Sequence, residues 1–440
     1  MAEPVPFVDQ FASAEPMLGG AEHLHALRTG ALARYRAAGL PTRAVEAWKY
    51  TGLEGLAALG LVPAATAATP RVSVPEAAIA AVDSHRAVFV NGRFDPAQSR
   101  LDALPQGVVV ESLAALIARD PVAAERALAG EADGLPLAAL NTAFAADGLV
   151  LDLAPGSALD RPLHVISIGG AVDESAVAFH PRHLIRLAPD ARATVIESHV
   201  GSAGYFANAV VDIDVGAGAT LNHYTLQNQA AESFHVAVVR LALAARATYE
   251  GFVLQTGARL ARHELRARID GADAECRMSG LYLAAGTQHI DNTTFIDHAS
   301  PGSRSRQLFK AVLDDSGRGV FQGRVLVRPH AQKTDAGQVS RALLLSRKAE
   351  MDGKPELEIY ADDVRCSHGA TIGSLDQEPM FYLMSRGIDR TTAYRMLVEA
   401  FAIEALDEIG APDIRAAFGA HVGVWLAARR VQDHRVQGVA

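Results

Sequence analysis

The hydrophobic positions change their period twice along the chain. In the first third, Leu24, Leu27, Ala31, Leu32 and Tyr35 recur at the spacing of an amphipathic helix, and Gly39 with Pro41 ends it. A second apolar series, Leu113, Leu116, Ile117 and Leu128, spans Ser112 to Ala129. Pro121 lies inside it; its missing amide hydrogen and its ring predict two helices rather than one. A shorter helix is predicted over Pro136 to Phe144. Between the first two helices, Arg86 to Phe94 reads as a strand ending in a turn at Asn91-Gly92, and the Ala/Thr/Pro run from Pro63 to Pro70 reads as a linker.

From Gly148 the helical period gives way to short alternating strands. These include His164 to Ile168, Thr194 to Glu197, Val210 to Ile213 and Val236 to Val239. A spaced self-similarity runs through them. Asp190-Ala-Arg-Ala-Thr194, Gly216-Ala-Gly-Ala-Thr220, Ala244-Ala-Arg-Ala-Thr248 and Gly271-Ala-Asp-Ala-Glu275 each lie between two strands. Their last alanines, Ala193, Ala219, Ala247 and Ala274, fall at steps of 26, 28 and 27 residues. Such a step predicts stacked coils, each burying a face that one coil alone leaves exposed. A β-helix is therefore expected, with an evenly spaced antiparallel sandwich as the alternative; no strict six-residue repeat supports a hexapeptide helix. After Glu378 the helical period returns. Ala393, Met396, Leu397, Ala400, Phe401, Ile403 and Leu406 form an apolar stripe, Gly410 and Pro412 end it, and a last helix runs from Ile414 to about Arg430. The expected division is 1–148 helical and mixed, 149–377 β-helix and 378–440 helical.

Composition narrows the function. With 50 acidic and 41 basic residues the formal charge is −9, the wrong sign for a nucleic-acid binder. No apolar run reaches membrane-spanning length, and Met1 to Gln10 lacks the basic flank and apolar stretch of a secretory signal, so a cytoplasmic protein is expected. The two cysteines, Cys276 and Cys366, form no disulfide framework and no Cys-x-x-Cys pair, and two thiols cannot hold a four-cysteine cluster. Gly-x-x-x-x-Gly-Lys-Ser/Thr and Gly-x-Ser-x-Gly are absent, and Gly216-Ala217-Gly218 belongs to a repeat turn.

Cys366-Ser367-His368 carries the most distinctive chemistry. On a strand, residues two apart share a face, so thiol and imidazole emerge together as soft and borderline metal donors. Arg365 beside the thiol is expected to favour thiolate. The plain alternative is a small buried cysteine near an exposed histidine. Cys276, inside a repeat, is expected in the core. His289, Asp291, Asp297 and His298 cluster in sequence, as do His330 and Asp335, but neither spacing matches a standard metal site.

Several longer stretches resemble the SufB/SufD family of iron–sulfur assembly proteins. They are Asp291 to His298, Ser305 to Lys310, Arg318 to Val325, Ala331 to Ala336, Leu343 to Ser346 and, most closely, Leu357 to Thr371 continued by Phe381-Tyr382-Leu383 and Ser385-Arg386-Gly387-Ile388. Glu46-Ala47-Trp48-Lys49-Tyr50-Thr51 resembles the family's N-terminal signature. The additional cysteine of the SufB branch, in an Ala-Arg-Asn-x-Thr-Gln-Cys-Asp type stretch, is absent, so the resemblance is to the SufD branch.

That resemblance implies a right-handed parallel β-helix flanked by helical domains. It implies a non-catalytic scaffold that pairs with SufB through the end of the β-helix and holds the ATPase SufC through its C-terminal helical region. His368, with Cys366 beside it, would face the interface where a transient, shared iron–sulfur cluster forms. The segment Glu378, Phe381, Tyr382, Ser385, Arg386, Gly387 and Ile388 is the expected SufC contact. No tightly bound cofactor is implied for the chain alone, ATP enters only through SufC, and reduced flavin is implied for the whole complex without a flavin motif here. A homodimer through the SufB-facing surface is expected to be open to the isolated chain. The competing readings are a solenoid enzyme acting on polysaccharide, which a 6% aromatic content disfavours, and an adaptor with no metal role.

Overall fold

The computed structural model describes residues 5–67, 70, 73–74, 82–130 and 134–428. The expected end of the last helix at Arg430 and part of the Pro63 to Pro70 stretch lie outside them. From Arg182–Leu187 onward, each strand hydrogen-bonds in parallel to the strand two places further along the chain. Alternate strands thereby build two sheets, one of 11 and one of 10 strands. A sandwich with antiparallel neighbours cannot give this order. Stacked coils, each contributing one strand per sheet, do, and the chain is a parallel β-helix with helical regions before and after it.

The repeat turns explain the stacking. Asp190, Gly218, Arg246, Asp273, Gly302 and Lys333 all have φ between 57° and 72°, left-handed backbone that folds the chain tightly from one sheet into the other. Each is followed by a small buried residue: Ala191, Ala219, Ala247, Ala274, Ser303 and Thr334. The amide of each left-handed residue donates to a carbonyl one coil further on, at 2.7–3.1 Å. Register pairs Thr220 with Arg192, so the partner of Ala219 is Ala191, not Ala193. The first step is therefore 28 residues. The Ala-Arg-Ala run offers two alanines, and only the one after the left-handed residue sits at the turn.

Both sheets extend into the first part of the chain. His85–Val90 pairs in parallel with Leu163–Gly169, and Val108–Ser112 pairs antiparallel with Leu149–Leu153. The helices Ala21–Ala38, Leu113–Arg119, Pro121–Leu128 and Pro136–Phe144 follow the sequence pattern closely. Ser112 and Asp120 cap the second and third through their side chains. The linker expectation is corrected. Val62–Pro63 pairs with Val177–Phe179, and Ala64 is buried beneath it, because small residues let this segment lie close against the sheet.

Three helices follow the solenoid: Gln377–Ser385, Arg390–Leu406 and Pro412–Ala427. The second buries Ala393, Val398, Ala402, Ala405 and Leu406, whereas Met396, Ala400 and Ile403 face outward. The expected stripe is therefore rotated. This helix is apolar on most of its circumference, so its packing partner selects the face. That partner is the outer surface of the 10-stranded sheet. There Lys310 donates to the Phe401 carbonyl at 2.7 Å and to Glu404 at 2.5 Å, with its ammonium 4.0 Å from the Phe401 ring centre.

Candidate functional site

The last coil of the solenoid is the strand pair Glu350–Ile359 and Arg365–Gly373. These strands lie at the ends of the two sheets, and neither contains a buried residue. Cys366 and His368 stand on the second. Their register partners one coil back are Ala336 and Gln338, both buried in the solenoid interior. Side-chain parity along a strand then places Cys366, His368, Ala370 and Ile372 on the interior face. In a middle coil that face is core. Here no further coil covers it, so His368 and Ile372 are exposed and Cys366 is half-buried.

The expectation that Arg365 favours thiolate is corrected. Arg365 is exposed, whereas partial burial raises the Cys366 thiol above its ordinary value; the Ala336 backbone lowers it and the nearby Asp335 charge adds to the rise. Cys366 packs against Val325, Val327 and Ala336. It stands at the lip of the lumen.

Behind His368 the interior is not uniformly apolar. One column of the 10-stranded sheet reads His223, Gly251, Met278, Gln307, Gln338 and His368 on successive coils. His263, Asn292 and Thr294 face it from the other sheet, with Asn292 directly one coil beyond His263. Thr294 donates to Gln307 at 2.6 Å and Asn292 to Gln255 at 2.7 Å. Gln338 lies against the backbone of Gly323, where a β-carbon would stand 1.9 Å from its amide nitrogen. Deeper still, Glu197 holds His223 at 2.6 Å and His199 at 3.1 Å. Burial pushes the Glu197 carboxyl up, but these two hydrogen bonds and the neighbouring imidazoles outweigh it and hold the group well below the usual carboxylate range.

Residues 170–401 match the family described as SUF system FeS cluster assembly, SufBD core domain, and residues 5–165 match the SufBD protein N-terminal region. The chain is 35% identical over 395 residues to the iron–sulfur cluster assembly protein SufD of Escherichia coli, covering 88% of this chain and 89% of that one. The chain belongs to the SufB/SufD family. It is also 33% identical over 386 residues to an iron–sulfur cluster assembly SufBD family protein of Synechocystis, covering 84% of each. A third relative, the chloroplastic protein ABCI7 of Arabidopsis thaliana, is 31% identical over 293 residues, 64% of this chain and 61% of that one.

The SufB/SufD N-terminal signature lies on the outside of the 11-stranded sheet. Trp48 is buried 4.2 Å from the Arg262 guanidinium, and Thr51 donates to Asp291 and meets His289 at 2.9 Å. Arg262 pairs with Asp291 and Glu264. This accounts for His289 and Asp291, two members of the sequence cluster. Asp297 instead pairs with Arg328 at 2.6 Å, and His298 points inward to Ser303 and Ser305 at 2.7 and 2.9 Å. His330 bonds the Ala299 carbonyl and Asp335 pairs with Arg306. Among the described residues, no group of three or more histidine, cysteine or acidic side chains is placed to hold a metal ion.

The segment after the solenoid carries the other candidate surface. In helix Gln377–Ser385, Asp376 caps the first turn, and Met380 is buried. Gly387, at φ 88°, ends it, with Ile388 donating back to Leu383. Phe381 is 75% and Tyr382 57% exposed. Glu378, Ser385, Arg386 and Gly387 are exposed beside them, and Ile388 is half-covered. Arg386 stacks on Tyr382 at 5.1 Å. Two large aromatic faces on one short helix form an apolar patch rimmed by charge.

A groove of about 740 Å³ runs between helix Pro121–Leu128 and the outer face of the 11-stranded sheet. Four of the five arginines that line it, Arg186, Arg240, Arg266 and Arg268, pair with Asp152, Asp212, Glu264 and Asp270, and Phe295 is the one aromatic among its described lining residues. A sugar-binding cleft stacks rings on several aromatics, so the groove lends the polysaccharide reading no support. No helix among the described residues is long and apolar enough to cross a membrane.

Proposed function

We propose that the chain is a non-catalytic scaffold subunit of an iron–sulfur assembly complex, pairing with a SufB-type relative through its last coil. The single observation that carries this reading is the interior face of Arg365–Gly373. It presents His368 and Cys366 at an uncovered solenoid end, beside a strand edge with free ladder positions. A partner strand that continues the sheet would cover Ile372 and bring its own donors opposite His368. The cluster is cargo, held in passing by ligands from both chains. Cys366 and His368 supply at most half of the donors it needs.

The exposed aromatic face of Phe381 and Tyr382 is the proposed seat of the ATPase SufC, with Glu378, Ser385, Arg386, Gly387 and Ile388 around it. ATP is then hydrolysed by the partner. This chain transmits the movement through the joint where Lys310 anchors Arg390–Leu406 to the sheet. Such a step works by binding one arrangement of the complex better than the other.

The test is co-expression with SufB and SufC relatives and measurement of cluster formation. His368→Ala is expected to leave the complex intact and lower assembly by roughly tenfold or more, the scale seen when a metal site loses a supporting group. Cys366→Ser is expected to have the smaller effect. Failure to bind either relative overturns the scaffold reading, and unchanged assembly in both variants leaves an adaptor without a metal role.

A further inference from the structure

The interior polar residues described above have more hydrogen-bonding groups than protein partners. Both amide atoms of Gln338, Nε2 of Gln307 and of Gln255, Oδ1 of Asn292, Oε1 of Gln227, Nδ1 of His235 and Nε2 of His183 have no protein partner, and every one of these side chains is at least nine-tenths buried. Buried polar atoms in a folded protein are almost always satisfied, by water where protein does not serve. They are also not scattered. Hydrogen bonds join Glu197 to His223 and Thr294 to Gln307, register joins His263 to Asn292 and Gln307 through Gln338 to His368, His223 and His263 line one cavity, and Asn292 and Thr294 share a strand face, so these residues trace one track from mid-solenoid to its open end. Beside His223 a small cavity, lined by the polar His223, Thr225, Tyr249, His263 and Ser279 and by the apolar Phe252, Val253, Leu265, Met278 and Phe309, has room for about one water. That is too narrow for a hydrated metal ion.

We propose that a file of water threads this lumen and carries protons between the mouth at His368 and the buried Glu197–His223 pair. Thiols and hydrosulfide must lose their protons to become metal ligands. A proton leaving such a group at the mouth passes to the first water of the file. Each link hands one proton on as it takes one from its neighbour, so the file exchanges protons between the mouth and the Glu197–His223 pair with no net uptake there and no electron transferred. The groups facing Glu197 are His199 and His223 on its own sheet, His183, His235 and His263 on the opposite sheet, and Tyr249, whose hydroxyl lies 3.1 Å from His223. The His199 and His235 rings approach to 4.7 Å across the lumen. The use given to the protons rests on the cluster-site reading; the track does not.

The experiment uses the isolated full chain. A crystal structure that resolves ordered water is expected to place water on Asn292, Gln307 and Gln338. In histidine-labelled protein, exchange of the His223 ring N–H with solvent is expected to slow at least tenfold in Gln338→Leu and to stay within twofold of the wild type in Gln338→Asn. Gln307→Met provides a second block should Gln338→Leu fail to fold. A dry ladder in which Gln307 and Gln338 bond each other directly, or equal exchange in the blocked variants, overturns the proposal. Normal track exchange with failed cluster assembly would count against the function reading alone.

Discussion

Two coils made from the same repeat differ completely in surroundings. In the middle coil, Glu275–Ala284 buries its interior residues Cys276, Met278 and Tyr282 under neighbours on both sides, and its outer residues Leu281 and Leu283 under the C-terminal helices. In the last coil, Glu350–Ile359 and Arg365–Gly373 keep the same alternation, yet none of their residues is buried. Cys276 and Cys366 stand in one column, separated by Ser305 and Ala336. One is fully enclosed and the other stands at the lip. Position in the stack, rather than residue type, decides whether a thiol is core or site.

This contrast should break first in stability. Phe309 packs on Phe321 at 4.9 Å inside the stack. Phe309→Ala is expected to cost about 3–5 kcal/mol in chemical denaturation, as a buried cavity does. Ile372→Ala on the last coil, 48% exposed, should change stability by less than about 0.5 kcal/mol. Similar losses at both sites would mean that the last coil is covered within the single chain.

Acid should act on the enclosed region next. Burial is the chief cause that lowers His183 and His263 to about 4, so each stays neutral when folded and takes up a proton on unfolding. Their contribution is full above about pH 6.5 and is lost as pH falls toward 4, on the order of 3 kcal/mol for each. His263→Gln should flatten denaturation midpoints across that window. A pH-independent midpoint in the wild type would remove these histidines from the interior.

The smallest effect is on thiol chemistry. Burial raises the Cys276 thiol far above its ordinary value, and Cys366 is raised as well but reachable. Maleimide at mildly alkaline pH should label one thiol in the native chain and two after denaturation. Cys366→Ser should abolish the native label.

Much of this arrangement was legible along the chain. The helices broke where Gly39 and Pro121 required and began again at Pro136, and the turn motifs pointed to stacked coils. Parity alone put Cys366 and His368 on one face. Three things needed the third dimension. Ala191 and Ala193 are equivalent in sequence, and only register separates them. The apolar stripe of Arg390–Leu406 was too broad to name its buried side until Lys310 fixed it. The track from Glu197 to Gln338 had no local signature, since its members lie about one coil apart and converge only when the coils stack. The thiolate expectation failed for a related reason: Arg365 is next to Cys366 in sequence, but burial acts on the thiol more strongly.

The central claim is that the last coil is an interface waiting for another strand. Hydrogen exchange of the edge strand Arg365–Gly373, with and without a SufB relative, tests it directly. The account predicts fast exchange at the free ladder positions of the isolated chain and strong protection there in the complex, with Glu275–Ala284 protected in both. Protection that appears elsewhere while Arg365–Gly373 stays fast would contradict it.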